Sequence, residues 1–548
     1  MMKGEIGSLM AALVVAGCSL PSLADVTLHG LFTDNMVLQR EECVAVYGRG
    51  DEGESVTVRL GEATATTTVS NGQWKVKLPP MKAGGPFTLS VTAKNTITLK
   101  NVLVGDVWVC TGQSNMATLL KLYKGDAYKG YHHLFAGVPQ PNDQIRLFKV
   151  KMGAADDPQR EVMVNEDFGS WVPCDETRAM MFSALGYLFG CRLQKEIGVP
   201  AGLIHAAVGG TMAECWVSND TLQSRPEFKV ILDNFETAKQ RYPEALKRYE
   251  AALADAKAGK YKDRRGRKQP VEPVGPTALK RPTGLYNYMI APLQQFTIKG
   301  IIWYQGEGNA AFPVQYRTLF PSLITSWRQQ WSQNDFPFLF VQLAAFNKVN
   351  PEPEDPNWAW QREAQAMALA LPKTAMAVAI DAGHQTNIHP PYKPLVADRL
   401  VAAALKVAYG RDIVAAGPSF RRMTVTGNKA ILDFDNIGGG LCVKDVDLDG
   451  GIHLSAKELK GFAICGEDKV FKWAHAEIAG NTVVVSHPDV AKPVAVRYAW
   501  AHFPLCNLYN KEGFPAAPFR TDQFEQQVPA KPVKPGRTQA PNVPGGEG

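Results

Sequence analysis

Val102-Leu103-Val104-Gly105-Asp106-Val107-Trp108-Val109-Cys110 runs through Thr111 into Gly112-Gln113-Ser114-Asn115-Met116. The first run is rich in β-branched and apolar side chains and reads as a buried strand. Gly112 punctuates it, and the residues that follow can turn helical. A serine therefore stands at the carboxyl end of a strand, on a tight turn, with its own N–H near a helix N-terminus. In that place an attacking hydroxyl is exposed and a developing oxyanion finds donors. The same five residues also suit an ordinary polar turn, so their weight depends on the rest of the chain.

Outward from this turn, strands alternate with helices from Val102 to about residue 411. Strands are expected at Val102–Cys110, Gly202–Val208, Lys299–Tyr304, Pro337–Leu343 and Ala375–Ile380, and helices at Ser183–Ile197 and Pro394–Tyr409. Such alternation predicts an α/β fold, a parallel sheet covered by helices on both faces. Residues 229–282 interrupt it with a charged, helix-prone stretch and then a Pro- and Arg-rich one, read as an insertion near the site or on the surface. Short alternating runs before and after predict β-rich flanking domains, a sandwich-like one at 25–101 and another at 412–525. Residues 526–548 are Pro-, Lys- and Gly-rich and read as a disordered tail.

A chain of 548 residues exceeds one ordinary domain. Hydrophobic content of 45% and charged content of 20% describe a soluble globular protein. The net charge of +6 is small for this length and argues against a nucleic-acid partner. The basic run Lys260–Lys268 reads as a solvated loop. Residues 1–24 read as an export signal: Lys3, an apolar core from Leu9 to Ala16, and Ser22-Leu23-Ala24 before Asp25. Two readings compete with plain cleavage. Val15-Ala16-Gly17-Cys18 has the form of a lipobox, which would lipidate Cys18, and a buried N-terminal segment is the third. No other apolar run reaches membrane-spanning length. The nine cysteines show no CxxC pair, and no His/Cys cluster has zinc spacing, so neither a metal nor another cofactor is expected. Asp445–Gly450 imitates an EF-hand start, but the twelfth position is Ala456, and the stretch reads as a turn between strands.

Ligands of open α/β sheets sit beyond the carboxyl ends of the strands. One expected strand end carries Ser114, the next Val208-Gly209-Gly210-Thr211, the third Trp303-Tyr304-Gln305-Gly306-Glu307-Gly308-Asn309. The last runs into Asp381-Ala382-Gly383, followed by Ile388-His389-Pro390. In order, Gly-Gln-Ser-Asn-Met, Gly-Gly-Thr, Trp-Tyr-Gln-Gly-Glu and Ile-His-Pro resemble the blocks of the SGNH/GDSL hydrolases. They are most similar to the sialate O-acetylesterases and the related acetylxylan esterases. Pro282–Asn287, Val496–Trp500 and Asn507–Asn510 extend the likeness over most of the chain.

The resemblance implies an SGNH-type, flavodoxin-like sheet and a serine esterase acting on acetylated sugar, foremost O-acetylated sialic acid, without a cofactor. An acetylxylan or other polysaccharide deacetylase is the alternative among enzymes; a non-catalytic carbohydrate-binding surface protein is the alternative outside them. It implies Ser114 as nucleophile and His389 as general base and acid. It implies an oxyanion site built from the N–H groups of Ser114 and of Gly209 or Gly210, with the Gln305 amide as third donor and Asn309 as its competitor. The chain departs from the pattern at the orienting acid. Many SGNH enzymes carry Asp three residues before the histidine, where this sequence has Thr386. Glu307 is the first substitute, Asp381 the second, and a backbone carbonyl the third. His384 also lies near enough for a substrate role, while Trp108, Trp216 and Trp303 read as core rather than sugar platforms.

Overall fold

The computed structural model describes residues 25–263, 268–333 and 335–526. The expected export signal and tail, and the centre of the basic run, lie outside the described residues. One long strand organises the rest. β1 (Thr96–Gly112) is polar and alternating in its first half and buried throughout its second. Its first half pairs antiparallel with Gly84–Thr92 in the N-terminal β region. Its second half is the centre of the main sheet. The boundary expected at 101/102 thus falls inside a continuous strand, and the two regions share hydrogen bonds rather than a linker.

The main sheet adds β2 (Asn142–Lys149), β3 (Val172–Cys174), β4 (Ala201–Ala207), β5 (Gly300–Tyr304), β6 (Phe338–Val341) and β7 (Thr374–Ala377), in the order β3-β2-β4-β1-β5-β6-β7. All neighbours are parallel except the edge strand β3. Strand order reverses at β1, which lies between β4 and β5. Gly112 stands opposite both Ala207 and Tyr304, so three strands end level with one another at this switch point.

Alternation along these strands feeds two cores. Val107, Val109, Ile301, Trp303, Phe338 and Phe340 point to one face, where α4 (Pro313–Trp331) supplies Tyr316, Phe320, Ile324 and Trp327 and α5 (Asn357–Ala366) supplies Ala364. Trp108, Cys110, Ile302, Tyr304, Leu339 and Val341 point to the other, where α2 (Ala184–Ile197) supplies Leu185, Leu188 and Phe189, and α6 (Lys393–Val407) supplies Val396 and Leu400. Each fully buried Leu, Phe or Trp of this kind contributes roughly 1.5–3 kcal/mol or more by leaving water. α2 begins where the Ser183 hydroxyl accepts from the Gly186 N–H and ends at Gly198 in the left-handed conformation. Trp108, Trp216 and Trp303 are all fully enclosed and belong to these cores.

The insertion forms α3 (Lys229–Lys257), which buries only Ile231. The C-terminal region is a set of small antiparallel sheets, the largest built from Ser419–Thr426, Lys429–Asp435, His475–Ala479 and Thr482–Ser486. Asp445–Gly450 belongs to a hairpin of Val446–Leu448 and Ile452–Leu454. The eight described cysteines are free thiols. No helix among the described residues is long and apolar enough to cross a membrane.

Candidate active site

The Ser114 turn exists because glycine stands at its entry. Gly112 has φ +132, and a Cβ there would lie 2.2 Å from the Tyr304 carbonyl oxygen. Only glycine lets β1 and β5 approach so closely before diverging. The chain then enters the short helix α1 (Ser114–Ala117), whose first residue is Ser114. Gln113 ties this turn to the next strand end. Its N–H donates to the Tyr304 carbonyl at 2.9 Å, and its side-chain oxygen accepts from the N–H groups of Gly306 (3.3 Å) and Gly308 (3.1 Å). Gly306, at φ +152, is the second position that demands glycine.

Gly209 lies in the loop after β4 and faces the serine: a Cβ on it would sit 3.5 Å from Ser114 Cβ. A Cβ on Gly210 would instead meet Lys280 Nζ at 2.9 Å. The N–H groups of Ser114, Gly209 and Gly210 make no hydrogen bond among the described residues. The Lys280 end of the insertion therefore borders the site. Val271, Pro273, Val274 and Lys280 line a cavity of about 130 Å³ together with Gly210, Met212 and Gly308.

Gln305 is not placed as expected. It is fully enclosed, its amide nitrogen donates to the Thr211 carbonyl (3.2 Å) and to Asn309 Oδ1 (2.7 Å), and its oxygen accepts from the Tyr316 hydroxyl (2.9 Å). Both amide hydrogens are engaged, so Gln305 is a strut between two loops rather than a donor open to an oxyanion. Asn309 is tied in the same way: its oxygen accepts from the Ala213 N–H at 2.8 Å and its nitrogen donates to Glu214 Oε2 at 3.0 Å.

Glu307 and Asp381 are both enclosed and differ in company. Asp381 receives Arg399 on both oxygens (2.6 and 2.7 Å) and the Tyr509 hydroxyl at 2.7 Å. Although burial works against it, the Arg399 guanidinium holds its carboxyl below the usual range. Glu307 Oε1 accepts from Asn115 Nδ2 at 2.5 Å, while Oε2 is buried without a partner among the described residues. Burial pushes its carboxyl up.

His389 sits on the loop before α6. Its N–H donates to Asn387 Oδ1 (2.9 Å) and its carbonyl accepts from the Tyr128 hydroxyl (2.8 Å). The ring Nε2 is buried without a hydrogen bond. Burial, with Lys393 as a smaller influence, lowers its pKa to about 4. Among the described residues, no hydrogen bond joins the ring to Ser114, Glu307, Asp381 or a backbone carbonyl. The Ser114 turn and the histidine loop meet instead through Asn115, whose Nδ2 also donates to the Ile388 carbonyl at 3.1 Å. His384 is part of the loop's own turn: Nδ1 accepts from the N–H groups of Thr386 and Asn387, both at 3.1 Å, and Nε2 lies 3.4 Å from Asp449.

Asn115 has a task that its motif does not reveal, and Lys393 and Glu214 lie outside the motifs read from the sequence. Lys393 Nζ donates to Asn115 Oδ1 at 2.7 Å and to the Pro390 carbonyl at 3.0 Å. A lysine opening an apolar helix was the available signal.

The sequence matches the family model described as carbohydrate esterase, sialic acid-specific acetylesterase over residues 104–261 and 273–397. The chain belongs to that family. It is 30% identical to the sialate O-acetylesterase of Rattus norvegicus over 93% of this chain and 97% of the rat protein. It is 32% identical to that of Mus musculus over 89% of this chain and 93% of the mouse protein. Among solved structures, a carbohydrate acetylesterase from Xanthomonas citri is 35% identical, with a TM-score of 0.73 over 91% of this chain and 100% of that one. The protein is thus a carbohydrate esterase, and the matched residues include Ser114, Asn115, Gly209, Glu307, His389 and Lys393.

Proposed function

We propose that this enzyme removes O-acetyl groups from sialic acids by acyl transfer through an acetyl-serine. The observation that carries this reading is the packing of Gly209 against Ser114 at the sheet's switch point, with the N–H groups of both residues unpartnered among the described residues. Ser114 Oγ attacks the acetyl carbonyl. His389 Nε2, neutral at pH 7 because burial depresses its pKa, takes the hydroxyl proton and returns it to the departing sugar oxygen. The carbonyl oxygen, now negative, lies between the Ser114 and Gly209 N–H groups, with Gly210 next in line. Water, deprotonated by the same histidine, then hydrolyses the acetyl-serine. Glu307 is the acid of the site: its Oε2 is uncommitted and its Oε1 reaches the histidine loop through Asn115, whereas both Asp381 oxygens are occupied. We read the sheet as SGNH-type and flavodoxin-like, and the enzyme as exported.

One observation favours a broader substrate range. The structural relative at 35% identity is described as a carbohydrate acetylesterase, with no sugar specified. Acetate release from O-acetylated sialic acids and from acetylated xylan, measured side by side, separates the two. Faster release from the sialic acids is expected. Release from xylan alone would replace the sialate reading.

A further inference from the structure

Lys393 breaks two rules of protein construction at once. Its side chain is enclosed (1% exposed), and it is the first residue of α6, the helix end where a positive charge is disfavoured. A buried ammonium needs compensation, and a chain that places one against the dipole of its own helix does so for a reason other than packing.

The contacts give that reason. Lys393 Nζ donates to Asn115 Oδ1 and to the Pro390 carbonyl. Asn115 Nδ2 donates to Glu307 Oε1 and to the Ile388 carbonyl. The carbonyls of residues 388 and 390 flank His389, and Asn115 follows Ser114. One lysine and one asparagine therefore span the gap between nucleophile and base, gripping the histidine from both chain neighbours while holding the turn that carries the serine. The rings of Tyr123 and Tyr304 lie 5.6 and 5.4 Å from the ammonium and complete its cage. Glu307 is the carboxylate facing it from the β5 turn, and the His389 ring the titrating group on its own loop. Both tyrosines are held neutral by burial.

We propose that Lys393 is a positioning residue for the esterase reaction: through Asn115 and the Pro390 carbonyl it sets the approach of His389 to Ser114, and its charge tunes the base. The proposal rests on the acyl-transfer reading above. Burial brings the lysine down to about 7, so it is cationic in the acidic range where His389 titrates. A cation there disfavours a second one on the imidazole. The sign follows: neutralising Lys393 raises the pKa of His389 and moves the acid limb of the rate profile to higher pH.

The test is Lys393→Met, with Lys393→Gln as a second variant should the first fold poorly and Asn115→Ala as a cut that keeps the charge. On a small activated acetate ester, kcat falls roughly tenfold to a hundredfold in all three, with KM little changed. Only the lysine variants move the acid limb upward, by roughly one pH unit or less. The same shift appears in the His389 ring titration by NMR in a Ser114→Ala background, where turnover plays no part; His389→Gln assigns the resonance. Unshifted titration and limb in a folded Lys393 variant overturn the proposal. Turnover by Ser114→Ala, in contrast, overturns the acyl-transfer reading.

Discussion

The Gln305–Asn309 turn and the Asp381–His389 loop follow β5 and β7, which flank β6 in one sheet, and each presents an enclosed carboxylate. They solve the same electrostatic problem in opposite ways. Asp381 is given a guanidinium and a phenol, and ionises more readily than in water. Glu307 is given one amide and a distant lysine, and ionises less readily. Enclosure by itself says nothing about catalysis. An acid whose charge is neutralised on every side holds the fold together, while one left with an open oxygen beside the reacting groups can still do chemistry.

Four experiments sharpen or break this contrast. The floor is set by Ser114→Ala, which should lower kcat by roughly four orders of magnitude or more while leaving thermal unfolding unchanged. Against that floor, Glu307→Gln is expected to lower kcat about a hundredfold, on a small activated acetate as much as on the sugar ester. Normal turnover of the small ester would assign Glu307 to sugar binding and dissolve the contrast. Asp381→Asn should change kcat per folded molecule only slightly but cost about 3–5 kcal/mol of stability, because Arg399 would be left as an unpaired buried charge. Urea unfolding measures that loss, and a wild-type midpoint would show that the Arg399 pair is dispensable.

The smallest effect is the most diagnostic of sign. Glu307 has a raised folded-state pKa, so its stabilising contribution is present below its unfolded value, roughly 4.3, and is lost as pH rises through the folded one. Asp381 has a lowered pKa, so its contribution is present above roughly 3.9 and is lost as pH falls through the folded value. Subtracting each variant's unfolding free energy from that of the wild type across about pH 3 to pH 7 should give slopes of opposite sign. Parallel slopes would mean that the two acids share one environment.

Much of the scaffold was legible because it depends on local pattern. The apolar runs at 102–110, 202–208 and 299–304 are strands for the reason read from them, since their neighbours on both faces are helices that demand apolar side chains. Ser114, Gly209 and His389 stood out because each lies at a strand end or on the loop behind one, in a short polar block. What escaped depends on partners far along the chain. That Gln305 is engaged by Thr211 and Tyr316, or Asp381 by Tyr509, cannot be seen in either residue's own neighbourhood. The continuity of β1 across residue 101 was hidden because its polar half and its buried half obey different patterns. Asn115 and Lys393 were passed over because their significance is a contact between residues 278 positions apart.

Acyl transfer through Ser114 would leave the acetyl group on the serine for part of each turnover. Acid quenching during turnover of an activated acetate ester, followed by peptide mass spectrometry, tests it most directly, with the His389→Ala variant included to slow deacylation. A mass increment of one acetyl group is expected on the peptide carrying Ser114, absent from Ser114→Ala. Acetate release with no acetyl on that peptide at any time point, in either enzyme, would contradict it.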